Sequence, residues 1–460
     1  MIKRPVIKAA AMAGCIMGVG VAPALAQPDA EVQYIFNSLM FLIGGFLVMF
    51  MAAGFCMLEA GLVRTKNVAD ICLKNISLYA LAGVMYYVVG YNLMYADVGD
   101  FIGTFSIWGP GEFYNSDITA EAGGYSSASD WFFQIVFVAT AASIVSGAVA
   151  ERVKLFPFLI FVVILTGLIY PIQGAWKWGG GFLDQNGFLD FAGSTIVHSV
   201  GGWAALVGVL MIGPRTGKYG DGGRVMPMPG SSLPLATLGT FILWLGWFGF
   251  NGASQLALGT AGDATAISQI FANTNMAAAG GVIAALILTK VLYRKVDLTM
   301  VLNGALAGLV SITAEPLTPS IGEAILIGAA GSVLVTLAIP MLDKFKIDDV
   351  VGAIPVHLVA GIVGTLVVPV TNGDADFITQ LVGVVCVAAW VIPTSAIAWA
   401  ILKFTLGIRL SPEEEMAGGD VSERGLEAYP EFVDRTATAS YGAATTAAPG
   451  SGERVASGTA

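Results

Sequence analysis

The sequence predicts an all-α membrane protein with eleven transmembrane helices, and the prediction rests on composition, segment length and loop charge. Apolar residues make up 56% of the 460 residues and charged residues only 12%, with a mean hydropathy of +0.77. A soluble domain needs more charge than this to cover its surface, so the chain must lie in lipid. No basic stripe occurs in the sequence, which excludes a nucleic-acid-binding protein.

The apolar residues fall into eleven segments, each near the length of about 20 residues that a spanning helix needs. Gly is abundant, with 58 residues, as expected where helices pack closely in a bilayer. The predicted spans are 35–62, 68–95, 131–150, 155–173, 190–213, 233–256, 266–289, 297–313, 319–341, 350–370 and 378–405.

The start of the chain has the pattern of a secretory signal peptide. Basic residues precede an apolar stretch over 9–21, and Ala24-Leu25-Ala26 has the A-x-A form of a cleavage site. The alternative is a retained transmembrane helix, which the short apolar run and Pro23 disfavour. We therefore predict a signal peptide over 1–26 and a transmembrane domain over 27–407.

Lys and Arg occur in every second loop along the chain. A wrong count of helices would not have given this regular alternation. Five loops carry these cations and are predicted to be cytoplasmic, whereas the loops between them are acidic, with Lys177 as their only cation. The mature chain is therefore predicted to begin outside the cell and to end inside it, in the inner (plasma) membrane. The cations of the five loops are Arg64, Lys66, Arg152, Lys154, Arg215, Lys218, Arg224, Lys290, Arg294, Lys295, Lys344 and Lys346.

The two histidines of the chain, His198 and His357, lie in an internal repeat. Both sit in the pattern D-x-x-G-x-x-x-x-H-x-V-x-G, which begins at Asp190 and at Asp349. These are the fifth and tenth segments, so they cross the membrane in opposite directions, and we predict an inverted 5+5 repeat plus an eleventh helix. Each histidine follows its aspartate at a depth of about 12 Å, given a helical rise of 1.5 Å per residue. We therefore expect the two imidazoles to converge near the middle of the membrane.

A side chain that titrates near neutral pH, placed twice inside a membrane, suggests a pathway for a molecule that carries a proton. The surrounding segments are almost wholly apolar, so they resist bare ions but can pass a small neutral molecule. The alternative interpretation is that each histidine is a packing residue whose hydrogen bonds are satisfied. Two histidines without carboxylate or thiolate companions make a poor metal site, and no cofactor motif or enzyme site is predicted.

Aromatic residues near the predicted outer surface could form a cation site. Trp178 precedes three glycines, Phe133 and Phe137 share a helix face, and Phe250 lies towards the outer end of the sixth segment. Aromatic faces attract cations by about 0.5–2 kcal/mol. The alternative is an ordinary interfacial aromatic belt. Asp190 is expected to cap the fifth helix.

One acidic residue near a helix end also needs an interpretation. Glu59 is followed five residues later by Arg64, at the inner end of the first segment. We expect these two residues to form an ion pair at the end of the helix.

The chain resembles the ammonium transporter family, the Amt/Mep/Rh group, and specifically its bacterial Amt branch, over about residues 34 to 430. Because several motifs agree in order and spacing, the resemblance is specific. The matching motifs are Gly147 to Arg152, Trp178 to Gly181, Asp190 to His198, Gly246 to Asn251, and Asp349 to His357.

The resemblance implies an outer recruitment site for ammonium. Trp178, Phe133 and Ser254 would form it, with Ser254 accepting a hydrogen bond from the cation. Asp190 resembles the acid that supports this site.

The resemblance also implies a gate and a pore below the recruitment site. Phe137 and Phe250 resemble the pair of rings that blocks the pore. His198 and His357 resemble the twin histidines that line it, and Thr313 matches a polar pore residue.

The resemblance implies partners as well. Members are usually homotrimers in the lipid bilayer, and many are plugged from the cytoplasm by a PII-type signal protein. Residues 408–435 are predicted to form a cytoplasmic regulatory tail, and the Ala/Thr-rich residues 436–460 a disordered extension. The family often has a histidine in the stretch 422–425, where this chain has Arg424.

We therefore predict an ammonium transporter, with methylammonium as a further candidate substrate. It would recruit ammonium, remove a proton at the gate and conduct ammonia, with net charge transfer. One alternative is a passive channel for ammonia or carbon dioxide. Another is an ammonium sensor, although no output domain follows the eleventh segment.

Overall fold

A computed structural model describes residues 29–110 and 124–432 of the chain. The predicted signal peptide over 1–26 and the predicted extension over 436–460 lie outside these residues. Over the described residues the fold is helical, with two isolated β-bridges, and the all-α prediction is confirmed. The spans agree with the predicted ones to within a few residues at most ends.

Ten described helices are long and apolar enough to cross a membrane, and an eleventh apolar helix is shorter. The spans are α1 (Ala30–Leu62), α2 (Thr65–Tyr95), α3 (Ser127–Ala148), α4 (Leu155–Gln185), α5 (Ser194–Ile212), α6 (Leu233–Gln255), α7 (Ala261–Tyr293), α8 (Leu298–Ile312), α9 (Ile321–Lys344), α10 (Ile354–Thr371) and α11 (Phe377–Thr405).

The fourth helix extends well beyond its predicted end at residue 173. A π-helical turn over Leu165–Ile169 is followed by a further helical stretch over Tyr170–Lys177. This stretch is less apolar, so hydropathy alone does not find it. It is held in place by burial of Trp176, whose Nε1 donates a hydrogen bond to the carbonyl of Phe101 at 2.9 Å.

Large apolar side chains cover the outward-facing surface of the bundle. Phe46, Ile76, Phe156 and Leu326 are each more than half exposed. A soluble monomer rarely exposes so much apolar surface, whereas in lipid these side chains are solvated. The outer surface therefore agrees with a protein that spans a membrane.

The two copies of the sequence repeat adopt the same local structure. Each histidine lies in a π-helical segment, Ser194–Ser199 at the start of α5 and Ile354–Val359 at the start of α10. Before each segment a glycine takes a left-handed conformation, with φ of +104° at Gly193 and +81° at Gly352. Only glycine adopts this conformation without strain, which explains why both copies contain it. π-Helical turns are rare and often occur at functional sites.

The aspartate of each repeat caps the segment that follows it. The carboxylate of Asp190 accepts hydrogen bonds from the backbone N–H groups of Gly193, Thr195 and Ile196, at 2.8–3.1 Å. Asp349 accepts from the next glycine and from Ile354 in the same way. A carboxylate at this position satisfies N–H groups that a helix start leaves unpaired.

The last glycine of each repeat lets α5 and α10 approach closely. A Cβ on Gly202 would lie 2.6 Å from the Cβ of Leu358, and a Cβ on Gly361 would lie 2.4 Å from the carbonyl oxygen of Ser194. Small residues at helix interfaces in membranes permit this kind of contact. The two histidine-bearing segments are therefore packed directly against each other.

The predicted ion pair between Glu59 and Arg64 is wrong. Helix α1 ends at Leu62, and the extended backbone at Arg64 turns its side chain towards Glu151, with which it forms a salt bridge. Glu59 instead stays inside the bundle, where Asn75 and Ser146 donate hydrogen bonds to it.

A buried charge network lies between helices at the inner face. Arg215 contacts Asp348 through its backbone N–H and its guanidinium at 2.8–2.9 Å, and also contacts Glu151. Burial alone would raise the pKa of Asp348, but the hydrogen bonds and charge of Arg215 outweigh it and hold that pKa well below its usual range. This network fixes the loops after α3, α5 and α9 relative to one another.

The first part of the predicted tail packs on this inner face. Lys66 donates hydrogen bonds to the carbonyls of Glu415 and Met416 at 2.8 and 2.6 Å. Asp420 accepts from the backbone N–H groups of Ala69 and Asp70 near the start of α2, and Arg424 pairs with Asp70 at 2.8 Å.

Candidate functional site

A cavity of about 360 Å³ opens at the predicted outer end of the bundle. Its lining is mostly aromatic, with a few polar groups that converge on the same space. Trp178, Phe133 and Ser254 line this cavity together, as the sequence prediction requires of a single site. The other lining residues are Tyr91, Tyr95, Tyr125, Asp130, Gln134, Phe137, Phe191 and Leu256.

Hydrogen bonds orient two of these side chains. The indole Nε1 of Trp178 donates to the backbone carbonyl of Asp190 at 3.0 Å, which links the aromatic wall to the cap of α5. The hydroxyl of Ser254 donates to the carbonyl of Phe250 at 2.8 Å, so its oxygen keeps lone pairs available. Asp190 is buried and its carboxylate is used by backbone N–H groups, so it does not line the cavity.

Asp130 is an acidic side chain at the cavity that sequence reasoning did not single out. It accepts hydrogen bonds from Tyr91 at 2.5 Å and from Gln134 at 3.2 Å. The predicted third span begins at residue 131, so Asp130 is counted among the acidic residues of the outer loop before it. Its spacing of three and seven residues before Phe133 and Phe137 was the signal that it shares their helix face.

Two phenyl rings close the bottom of the cavity. The rings of Phe137 and Phe250 lie 4.2 Å apart between centroids at an angle of 45°, so they are tilted rather than stacked. Both are buried, and Trp178 contacts Phe137 edge-on at 5.9 Å. Phe250 in turn lies 5.2 Å from the ring of His198, so the histidine is directly behind the closed rings.

The two histidines form a pair in the middle of the bundle. Their Nδ1 atoms lie 3.2 Å apart and their rings 5.2 Å apart at 22°. A hydrogen bond between two Nδ1 atoms requires one ring to donate and the other to accept, so the neutral pair is asymmetric. The predicted convergence of the imidazoles is confirmed. The Nε2 atom of His198 has no hydrogen-bond partner among the described residues.

Trp247 holds His198 in position. The indole stacks on the imidazole at 5.0 Å and 18°, and its Nε1 donates to the hydroxyl of Thr313 at 2.8 Å. Thr313 donates in turn to the carbonyl of Leu309. Thr313 therefore contacts Trp247, and Trp247 contacts His198. The tryptophan links Thr313 to the histidine pair.

The path continues on the inner side of His357. A small cavity lies next to this imidazole, bounded by Phe55, whose ring is 6.0 Å away. It shares Asn303 and Gly352 with a cavity of about 330 Å³ at the inner end of the bundle. A wide outer cavity, two closed rings, a histidine pair and an inner cavity thus follow one another through the molecule.

This succession of features through a helical membrane bundle is that of a transporter for a small molecule. Residues 39–429 match the sequence pattern of the Ammonium Transporter Family. The chain therefore belongs to the ammonium transporter family and is a multi-pass ammonium transporter. The prediction of a transporter with twin histidines is confirmed.

Several relatives resemble the chain over most of its length. It is 40% identical to the ammonium transporter Amt2 of Archaeoglobus fulgidus, with 88% of this chain and 90% of the relative covered. It is 39% identical to the ammonium transporter Amt1 of Haloferax mediterranei, with 89% and 82% covered.

Solved structures share the fold. A structure named Sensor Amt Protein matches with a TM-score of 0.80 at 34% identity, over 86% of this chain and 100% of that chain. Mep2 of Candida albicans matches with a TM-score of 0.73 at 26% identity, over 84% and 89% of the two chains. The predicted eleven-helix fold class is confirmed by these matches.

Proposed function

We propose that the outer cavity recruits ammonium as a cation. Trp178 and Phe133 offer aromatic faces, and the oxygen of Ser254 accepts a hydrogen bond from the ion. Such faces contribute about 0.5–2 kcal/mol at partly exposed sites, and more where water is excluded. The carboxylate of Asp130 at the same cavity adds an attraction for a positive charge, and Asp190 positions the Trp178 ring through its backbone carbonyl.

Ammonium then loses a proton at the rings of Phe137 and Phe250. Directly behind them the histidine pair is packed among the buried rings of Trp247 and Phe250, and an unpaired charge there costs several kcal/mol or more. Ammonium can avoid this cost by deprotonation, and neutral ammonia then passes His198 and His357 by exchanging hydrogen bonds. Potassium cannot lose its charge and is rejected.

The observation that carries this proposal is the Nδ1–Nδ1 contact of 3.2 Å between His198 and His357, directly behind the closed rings. A bonded imidazole pair can take up the proton that ammonium leaves and release it on the inner side. Transport then moves net charge. Each charge that crosses gains about 2.3 kcal/mol per 100 mV of membrane potential, enough to concentrate the substrate.

The test compares His198→Ala and His357→Ala with the unchanged protein in liposomes on a solid-supported membrane. Ammonium addition is expected to give a current in the unchanged protein, while potassium gives none. The proposal predicts that each alanine variant loses this current or admits potassium. Unchanged current and selectivity in both variants would contradict it, and ammonia flux without current would favour a passive channel.

A second candidate is an ammonium sensor, which the likeness to a structure named Sensor Amt Protein supports. Ammonium flux in liposomes distinguishes a sensor from a transporter. A purified protein that binds ammonium but shows no flux in liposomes is a sensor, whereas saturable flux identifies a transporter.

We further propose that the chain belongs to the bacterial Amt branch and forms homotrimers in the inner membrane. Its identity of 34–40% to Amt proteins, against 26% to Mep2, supports a place among the Amt proteins of the family. A PII-type signal protein is the proposed partner at the inner face, where the tail over 408–432 packs. Native mass spectrometry of the detergent-solubilised protein, with and without such a protein, tests both assemblies.

A further inference from the structure

Glu59 is a buried acidic side chain that the proposed pathway does not use. It lies on α1, close to the inner end of that helix, and is 1% exposed. A buried carboxylate in a membrane protein is costly and is rare without a function. Its oxygen Oε1 has no hydrogen-bond partner among the described residues.

The other carboxylate oxygen of Glu59 is firmly held. Oε2 accepts hydrogen bonds from Asn75 Nδ2 at 3.0 Å and from Ser146 Oγ at 2.7 Å. The fully buried ammonium group of Lys74 donates to the backbone carbonyl of Ser146 at 3.1 Å. Residues on α2 and α3 thus fix the carboxylate and place a cation nearby, and leave Oε1 as the atom that can exchange a proton.

Glu59 lines the small cavity on the inner side of the histidine pair. The same cavity is lined by His357 from α10 and by Asn303 from α8. It has about 10 Å³ of room for the centre of a water-sized molecule, close to the space that one water molecule needs. Ammonia has nearly the same size as water. A molecule that leaves His357 inwards therefore meets the carboxyl group of Glu59.

We propose that Glu59 is the inner proton-exchange residue of the pore, at which ammonia is converted back to ammonium. The proposal rests on the proposed function, since it requires neutral ammonia to pass the histidine pair. In the step, the O–H bond of the protonated carboxyl breaks and a fourth N–H bond forms, giving ammonium and a carboxylate.

The carboxylate then regains its proton from the histidine pair. A water molecule in the small cavity can bridge His357 and Oε1, so that the proton removed at the outer gate reaches Glu59 while the imidazole returns to its neutral form. Ammonium leaves through the inner cavity, whose lining includes two acids, Asp343 and Asp349, and two cations, Arg215 and Lys218.

The titratable groups named near Glu59 lie on α1, α2 and α10, whereas α3 and α8 contribute the polar side chains of Ser146 and Asn303. Lys74 lies on α2 and His357 on α10, and the thiols of Cys56 and Cys72 are close by. Lys74 is the charged group among them, and its side chain is buried together with that of Glu59.

The test compares Glu59→Gln with Glu59→Asp and with a matched control, Glu31→Gln. Glu31 is an exposed carboxylate in the first turn of the same helix and lines none of the three cavities of the proposed path. Glu59→Gln is expected to lower the ammonium current at least tenfold, without changing the ammonium concentration at half saturation. Glu59→Asp should recover part of the current, because it keeps the acid, and Glu31→Gln should behave like the unchanged protein.

The proposal for Glu59 is overturned if a folded Glu59→Gln protein gives a current within twofold of that of the unchanged protein. The proposed function itself is overturned if the unchanged protein gives no ammonium current. Gel filtration and thermal melting establish folding. If Glu59→Gln does not fold, the unchanged protein is treated with dicyclohexylcarbodiimide, which reacts with protonated carboxyls in apolar sites. Labelling of Glu59 that ammonium slows, with parallel loss of current, is expected. No labelling, or labelling without loss of current, overturns the proposal.

Discussion

Gly202→Ala perturbs the contact that brings the two histidine-bearing segments together. The added Cβ would lie 2.6 Å from the Cβ of Leu358 and 2.8 Å from its backbone nitrogen. Carbon atoms in ordinary contact are about 3.5–4.0 Å apart, so α5 and α10 must separate by about 1 Å. The Nδ1–Nδ1 distance of 3.2 Å between His198 and His357 would then exceed hydrogen-bonding range.

The expected effect is larger on transport than on stability. Overpacking of this kind costs about 1–3 kcal/mol, which a large bundle tolerates with a lowered melting temperature. Misplacement of functional groups by 1 Å can reduce a rate by about 100-fold. We therefore expect the ammonium current on a solid-supported membrane to fall by between one and two orders of magnitude.

Two further variants control this experiment. Gly361→Ala makes the equivalent clash, with the carbonyl oxygen of Ser194, and should give the same loss. Gly322→Ala lies in α9, where an added Cβ meets nothing within 4 Å, and should leave the current unchanged. If Gly202→Ala transports at the normal rate, helix approach does not set the geometry of the pair, and the reasoning fails.

Three other variants test the supports of the site. Thr313→Val removes the acceptor of Trp247 Nε1 and should cost about 1–3 kcal/mol for the unpaired group, measured by thermal melting, together with a severalfold loss of current. Asp190→Ala leaves three backbone N–H groups uncapped and should lower stability by about 2 kcal/mol, with Asp190→Asn intermediate. The pKa of Asp348 is depressed by Arg215, so its stabilisation is complete above the unfolded pKa of about 3.9 and is lost as the pH falls towards the folded pKa. Melting temperatures between about pH 2 and pH 4 should therefore depend less on pH in Asp348→Asn, and an equal slope in both proteins would contradict this assignment.

The contact between the two histidines could be predicted, because two independent features of the sequence agree on it. Loop charges set the direction of each helix, and equal spacing from Asp190 and Asp349 set equal depth. The role of the last glycine in each motif was not predicted, although both Gly202 and Gly361 stand in the pattern. A motif shows that a small residue is present. Only the packing of α5 against α10 shows which residue comes close to it, Leu358 at Gly202 and Ser194 at Gly361.

Other features depend on contacts between residues distant in sequence. Glu59 and Arg64 are neighbours along the chain, but the end of α1 separates them, and each finds partners more than ten residues away. The spacing of Asp130 indicates its helix face, but its hydrogen bond from Tyr91 joins residues 39 positions apart and could not be predicted. π-Helical turns have no clear hydrophobic period, so the segments that hold His198 and His357 could not be distinguished from ordinary helix.

The Nδ1–Nδ1 hydrogen bond limits how many protons the pair can relay in succession. When His198 accepts a proton on Nε2, passes its Nδ1 proton to His357, and His357 releases its own Nε2 proton, both rings end in the opposite tautomer. His198 then presents an N–H group where it previously presented a lone pair. A second proton from the same side finds no acceptor until both rings return to their first tautomers, so a relay through the pair would carry one proton per cycle.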